Sequence, residues 1–131
     1  MATMLDELKG YLDGLNLPVP VGIGLFPAVP VTCVALVERE AVNPTERAFI
    51  GQRITYPRIE VLSRAPSYAL ARVNLDLVTR PLATIVNQIV GGSLYLSVEM
   101  ATLAGWVGPA VDDDAEVLAA ELEAARVEDE T

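Results

Sequence analysis

The sequence has no histidine, one cysteine and few aromatic residues, and these shortages exclude several kinds of protein. Without histidine there is no Ser–His–Asp triad, no histidine general base and none of the common catalytic zinc sites. A single cysteine, Cys33, excludes an intrachain disulfide, and since no histidine can activate its thiol we expect it to be a small core residue. Aromatic residues are 5% of a chain that is 52% hydrophobic. The core must therefore be built from Val, Leu, Ile and Ala.

Lysine is also scarce, and the net charge of −9 is concentrated near the C-terminus. Residues 1–108 carry eight basic and nine acidic side chains, whereas residues 109–131 carry Arg126 and nine carboxylates. Proteins bind nucleic acid by neutralising phosphates with basic side chains, so the C-terminal segment does not fit that role. Apart from Lys9, every basic residue is an arginine, a usage that suits forked contacts to carboxylates at interfaces.

The length of 131 residues corresponds to one domain. We expect a single domain over residues 1–127, followed by an acidic tail over residues 128–131. Residues 14–37 contain no charge and are long enough to cross a bilayer. They include four prolines, however, whose missing backbone donors lipid cannot replace. We therefore expect a buried extended segment there, and no membrane partner; the first residues also lack the pattern of a secretory signal.

The spacing of apolar residues predicts two helices. Residues 3–16 repeat leucine at intervals of three and four, with Thr3 as the N-cap. The second helix opens at residues 66–67, and Pro81 should kink or end it near Thr79. Its predicted buried stripe consists of Leu70, Val73 and Leu77.

Three segments have the pattern of strands. Residues 31–39 are rich in β-branched side chains, residues 56–64 alternate in polarity, and residues 93–99 alternate with their leucines on the apolar side. Between the first two, the polar residues 40–55 are expected to form an exposed excursion long enough to have a function of its own. Residues 105–109 are expected to form a loop.

Residues 115–127 contain two conflicting signals. Their Ala, Glu, Leu and Arg content favours a helix. The same residues also alternate in the way that a half-buried strand does. From the residues alone, helix is the preferred interpretation.

No catalytic or cofactor site emerges from the motifs. Residues 22–24 (Gly-Ile-Gly) follow no strand signal and lack the third glycine of a dinucleotide fingerprint. Residues 112–114 (Asp-Asp-Asp) lack the calcium-hand pattern, so a solvated turn is expected. Nothing in the sequence indicates that any two of Glu38, Glu60 and Glu99 lie close enough together for general acid–base catalysis. We predict no enzyme activity, no cofactor and no metal.

The order of these elements resembles the minor capsid family whose members are the tail terminators of long-tailed bacteriophages. The resemblance begins with a helix ending in residues 14–18 (Gly-Leu-Asn-Leu-Pro) and with residues 25–30 (Leu-Phe-Pro-Ala-Val-Pro) leading into a strand. It is carried mainly by residues 56–68, where a proline, an alternating strand ending in arginine and an aromatic residue precede a helix. A glycine turn then opens a tyrosine-containing strand at residues 91–96. Glu60, where the family often has glutamine, and Pro81 depart from the pattern.

The resemblance implies an α+β fold, with a mostly antiparallel sheet of about four strands and two helices packed on one face. It also implies a further strand after the acidic turn, which places residues 117–127 in the sheet against their helix propensity. The function implied is that of a structural virion protein at the head–tail junction, assembled in the host cytoplasm. It would form a ring of about six copies that ends the tail tube and joins it to the head connector.

The implied partners are therefore other copies of the chain, the tail tube protein and the head–tail connector proteins, with genomic DNA passing through unbound. The polar excursion and the arginines after it are the candidate contacts to these proteins: Asn43, Pro44, Glu46, Arg47, Phe49, Arg53, Arg58 and Arg64. The candidate residues facing the channel or the solvent are Asp112, Asp113 and Asp114, because an acidic wall repels DNA phosphates. Two alternatives stay open: another neck protein, such as a connector adaptor or stopper, and a small ligand-binding or enzymatic α+β domain.

Overall fold

The computed structural model describes residues 3–24, 26, 31–47, 51–109 and 115–129. Within them, the chain forms two helices and one mixed sheet of eight strands. The helices are α1 (Met4–Asp13) and α2 (Tyr68–Leu82). The strands are β1 (Val21–Ile23), β2 (Cys33–Arg39), β3 (Glu46–Arg47), β4 (Gln52–Thr55), β5 (Arg58–Ala65), β6 (Val86–Val90), β7 (Ser93–Pro109) and β8 (Glu116–Asp129).

Strand β8 lies in the middle of the sheet and is paired along both edges. One edge pairs first with β5 and then with β4, while the other edge pairs with β7. Beyond these neighbours, β2 pairs with β5 and β6 pairs with β7, all antiparallel, whereas β1 runs parallel to β2. The α+β class is confirmed. The predicted sheet of about four mostly antiparallel strands was too small, because the observed sheet has eight strands. The observed sheet is also mixed, since β1 runs parallel to β2.

The strand at residues 117–127 is confirmed, and the structure shows why tertiary packing outweighs the helix propensity of this segment. Four alternating side chains of β8 are buried on the face that packs under the helices: Leu118, Ala120, Leu122 and Ala124. A helix would scatter these side chains around its axis, whereas the strand buries all four and satisfies its backbone on both sides. Packing of this kind routinely overrides a weak intrinsic preference. The strand continues through Asp129, so two residues of the expected tail lie in the sheet.

Two other segments are more regular than we predicted. The excursion at residues 40–55 is exposed over its first half, but it includes β3 and β4, and β4 pairs with the far end of β8. Residues 105–109, predicted to form a loop, belong to β7. Pairing with the long strand β8 overrides the glycines there, and β7 follows β8 through several shifts in register.

The predicted alternation of the strand at residues 93–99 was wrong at its start. Tyr95 is fully buried, while Leu94 is partly exposed. A bulge between Tyr95 and Ser97 inserts one residue relative to β8, so that Tyr95 and Val98 both face the core. A strict period of two cannot anticipate this change of phase.

Helix α1 begins at its predicted cap. The hydroxyl of Thr3 accepts a hydrogen bond from the Asp6 backbone N–H at 3.2 Å, and the Asp6 carboxylate accepts from the Thr3 backbone N–H at 3.2 Å. This reciprocal arrangement satisfies two backbone donors at the start of the helix. Among the described residues, no helix has both the length and the apolar character needed to cross a membrane.

Helix α2 buries a different stripe from the predicted one. The buried apolar residues are Ala71, Leu75, Val78 and Leu82, whereas Leu70 and Val73 are exposed. The small Ala71 lets the helix approach the sheet closely enough for the Ser63 hydroxyl to donate to its carbonyl at 2.8 Å. The helix also continues past the predicted stop to Leu82, with Pro81 in its last turn.

Leu122→Ala should lower the free energy of unfolding by about 2–5 kcal/mol, because it leaves a cavity under the helices. Met100 lies directly opposite Leu122 on β7 but is partly exposed, so Met100→Ala should cost less than about 1 kcal/mol. Urea unfolding followed by circular dichroism at one protein concentration measures both. Equal losses in the two variants would contradict the central, buried position of β8.

Candidate assembly surface

The sheet face turned away from the helices, here called the outer sheet face, carries a set of opposing charges. The strand register places Arg39 opposite Arg58, Arg58 opposite Glu123, and Glu60 opposite Glu121. Like charges directly opposite each other destabilise a sheet. The structure relieves the repulsion by pairing diagonally: Arg58 Nη1 donates to Glu121 at 3.1 Å, and Arg39 pairs with Glu60.

Several of the predicted contact residues converge on the acidic side chains of β8. The Asn43 amide donates to Glu123 at 2.8 Å, and Arg58 Nε lies 3.6 Å from the same carboxylate. Arg53 Nη2 lies 3.5 Å from Glu128. These three predicted residues therefore bind acidic groups of their own chain. Three carboxylates of the C-terminal segment, Glu121, Glu123 and Glu128, are thus paired across the strands, a pairing that the sequence did not reveal.

The other predicted contact residues lie in different places. Pro44, Glu46 and Arg47 are exposed, and Arg47 lies opposite Arg53 in the β3–β4 pair. Partial burial raises the pKa of the neighbouring Tyr56, and the carboxylates of Glu46 and Glu123 add to the shift. Phe49 and the candidate channel residues Asp112, Asp113 and Asp114 lie outside the described residues.

Arg64 is buried and lies apart from this group. Its guanidinium is 4.8 Å from the centre of the Phe26 ring, and Nε donates to the Val31 carbonyl at 2.7 Å. It also contacts the sulfur of Cys33 at 3.7 Å. Burial raises the pKa of the Cys33 thiol, with the nearby Arg64 charge opposing the shift. Cys33 is a buried core residue, as predicted.

The carboxylates considered for acid–base chemistry lie on strands, as predicted. The register does bring carboxylates face to face, with Glu60 opposite Glu121 and Glu99 opposite Glu123. Arginines hold Glu60, Glu121 and Glu123 in ion pairs. Within the described ranges there is no cluster of three or more His, Cys, Asp or Glu side chains arranged to hold a metal ion.

The strongest concentration of buried polar groups is one that we did not predict, here called the Glu7 cluster. The Glu7 carboxylate is buried where α1 meets β7 and β8, and it accepts hydrogen bonds from three side chains. Tyr95 Oη donates at 2.7 Å, Arg126 Nε donates at 3.1 Å, and Ser93 Oγ donates as well. The Arg126 guanidinium also pairs with Glu128. The cluster therefore ties the first helix to the last strand.

The turn between β6 and β7 is shaped to fit this cluster. Gly91 adopts a φ of +59°, and a Cβ at this position would lie 2.7 Å from Cγ of Glu7. Only glycine allows both the backbone conformation and the close approach. The sequence did contain one indication that Glu7 is buried, because Glu7 lies on the same face of α1 as the buried residues Met4 and Leu8.

The pKa values of two residues of the Glu7 cluster are shifted by their surroundings. Burial raises the pKa of Tyr95 far above its ordinary value, and the negative charge of Glu7 raises it further. Burial alone would lower the pKa of Arg126, but Tyr95 and the Glu7 carboxylate outweigh that effect and raise it. Tyr95 is thus held neutral and Arg126 charged, as donors to one buried carboxylate.

Two apolar surfaces of the chain have no partner among the described residues. One is the α2 stripe, formed by Leu70, Val73 and Leu77, which was predicted to be buried. It borders an open groove of about 420 Å³ whose wall includes Leu17 and Pro81. The other is the β6–β7 hairpin, where Ile89 and Val86 are strongly exposed. Apolar surface of this kind marks contacts with other proteins.

Glu7→Ala should lower the free energy of unfolding by about 3–5 kcal/mol, because it leaves the partly buried Arg126 guanidinium without its main counter-ion. Asp13→Ala removes another carboxylate of the same helix, but one that is exposed and paired only with Lys9, so its effect should stay within about 0.5 kcal/mol. Chemical unfolding of both variants measures the difference. If both variants lost a similar free energy of unfolding, the Glu7 cluster would not be what stabilises the attachment of α1 to β8.

Tyr95 should make stability fall at high pH. Its pKa in the folded chain is raised above the ordinary value of 10.0, so its contribution is fully present below about pH 10 and is lost as the pH rises further. In Tyr95→Phe, the free energy of unfolding should therefore decline less steeply between about pH 10 and pH 12. Tyr68→Phe, at an exposed tyrosine, is the control and should follow the wild type. Parallel declines in all three proteins would contradict the shift.

Comparison with known proteins shows a likeness at the level of the fold. No protein-family model and no curated protein matches the chain. A solved chain from a structure described as "Virion of native gene transfer agent (GTA) particle" superposes with a TM-score of 0.59 and 15% sequence identity, over 95% of this chain and 91% of that one. Another solved chain superposes with a TM-score of 0.45 and 11% identity, over 95% of this chain and 96% of its own. The first comparison shows that this chain shares its fold with a chain of a virion.

Proposed function

We propose that the chain is a structural component of a phage-like virion and acts as the tail terminator at the head–tail junction. In this role about six copies form a ring that ends the tail tube and joins it to the head connector. The chain works through contacts between copies and with neighbouring proteins, and it carries out no reaction.

The observation that carries the proposal is the fold shared with a chain of a gene transfer agent virion, which extends over 95% of this chain. The likeness covers most of both chains, so it concerns the fold as a whole and not a single element. The sequence resemblance to tail terminators rests on separate observations, namely the order of the helix, the proline-flanked strand and the glycine turn. The two lines of argument lead to the same class of protein.

The distribution of apolar surface supports a role in assembly. The α2 stripe and the β6–β7 hairpin expose large aliphatic side chains that a chain working alone would bury. The polar groups of the outer sheet face and of the Glu7 cluster, by contrast, are engaged in ion pairs within the chain. The surfaces left open are thus suited to protein contacts.

The acidic character of the chain suits a ring through which DNA passes. A wall of negative charge repels phosphates at short range, so the genome moves through without being held. We propose that Asp112, Asp113 and Asp114 face this channel or the solvent. The exposed Pro44, Glu46 and Arg47 then contact a neighbouring copy or the tail tube.

The mass of the purified chain tests the proposal directly. We expect a ring of about six 14.0-kDa copies by light scattering and native mass spectrometry, alone or on adding the tail tube protein. Removing residues 44–50 should leave a folded monomer that no longer assembles. Particles made without the chain should have tails of uncontrolled length.

Three outcomes would contradict parts of the proposal. A chain that stays monomeric both alone and with the tube protein is not a ring component. Normal tail lengths in particles lacking the chain would assign it to the connector as an adaptor or stopper instead. Assembly that survives removal of residues 44–50 would exclude this segment as the contact.

A further inference from the structure

We infer that the β6–β7 hairpin of one copy docks on the α2 stripe of the next copy, and that this contact joins the copies of the ring. The inference rests on the proposed function, because it supplies the contact that a ring requires. It names two separate surfaces of the same chain as the two sides of one interface.

The hairpin has the properties of a strand pair that is covered in the assembled protein. Ile89 is 71% exposed and Val86 is 59% exposed, and Leu94 lies directly opposite Ile89. Strand β6 is an edge strand, since among the described residues it pairs only with β7. Residues 81–98 contain no charged side chain. Free edge strands are ordinarily protected by charge or proline, and β6 has neither, so an uncharged edge that exposes Val86 and Ile89 indicates a covering partner.

The α2 stripe supplies a matching depression. Val73 is 54% exposed, and it lies beside Leu77 at a spacing of one helical turn. The open groove of about 420 Å³ along these residues is also lined by Leu17, from the segment after α1, and by Pro81, Asp76 and Arg80. Rows of apolar side chains at this spacing accept an apolar element laid along the helix. The exposed side chains of the hairpin are of the kind that fills such a groove.

Charge indicates why the occupant is a second copy. Each copy carries a net charge of −9, so copies repel each other. Contact is least opposed between surfaces on which negative side chains do not outnumber positive ones. The hairpin is uncharged, and the charges beside the α2 stripe are those of Arg72, Asp76 and Arg80, with two positive side chains and one negative. Neither of the two apolar surfaces therefore adds a negative excess to the contact between copies.

Because the two surfaces are different, the contact between copies is head-to-tail. Every copy then offers one free hairpin and one free α2 stripe until the assembly closes on itself. A contact between identical surfaces would stop at two copies. The arrangement of the two surfaces thus permits a ring when the hairpin and the stripe of one copy contact two different copies.

Two single substitutions and their mixture test the inference. Ile89→Glu places a charge on the apolar surface of the hairpin and leaves the α2 stripe intact. Val73→Glu places a charge on the α2 stripe and leaves the hairpin intact. Each variant alone should lose the ring and have the mass of one 14.0-kDa chain. A mixture of the two should form pairs of one chain of each kind, because one intact hairpin still meets one intact stripe. Native mass spectrometry distinguishes all of these species.

Val107→Glu is the matched control, because Val107 is 60% exposed, lies near the C-terminal end of β7 and belongs to neither surface. It adds the same charge and should leave the ring intact. Circular dichroism and urea unfolding check that every variant folds. Should a glutamate variant fail to fold, Ile89→Gln and Val73→Gln remove the same apolar contacts without adding charge and should weaken assembly in the same way.

The outcomes separate this inference from the proposed function. If Ile89→Glu or Val73→Glu still forms the same ring as the wild type, the inference is overturned, even if binding to the tail tube is lost. The ring proposal would then still stand. Loss of the ring in both variants without pairing in the mixture would mean that the hairpin and the stripe do not meet each other. A wild-type chain that never assembles would overturn both proposals.

Discussion

The pairing of β8 along both of its edges is the constraint on which the rest of the structure depends. One edge holds β5 and β4, the other holds β7, and the strand's alternate side chains are buried beneath helix α2. Backbone groups in the middle of a sheet must find partners in neighbouring strands. Satisfying them draws residues 52–55 and 105–109 into the sheet, although neither segment has a strong strand pattern of its own.

The same pairing decides the electrostatics of the chain. In the sequence the acidic residues are concentrated at the C-terminus and the arginines lie earlier. Strand β8 inserts the acidic segment between β5, β4 and β7, so that Glu121 and Glu123 meet Arg58, and Glu128 meets Arg53. Most of these pairs are partly exposed and contribute modestly to stability. The Glu7 cluster is more deeply buried, and its ion pair depends on a complete set of donors.

Helix α2 connects packing with the proposed function. Its sequence has two apolar stripes, and a helix lying on one sheet can bury only one of them. The stripe containing Ala71 lies against the sheet, because its small side chain permits the close approach seen at Ser63. Leu70 and Val73 are consequently left at the surface together with the hairpin residue Ile89. Apolar surface that the monomer leaves uncovered is available for contact between subunits.

The sequence by itself determined the α+β class, the aliphatic core, both helices and the alternating strand of Ile59 and Val61. These features depend on residue spacing over one or two turns, which is local information. Its resemblance to a family also placed residues 117–127 in the sheet. Only the tertiary structure decided the number of strands, the phase change at Tyr95, the buried stripe of α2 and the Glu7 cluster. Each of these depends on partners distant in the sequence, as Glu7 and Arg126 are, and local spacing carries no information about which distant side chains will meet.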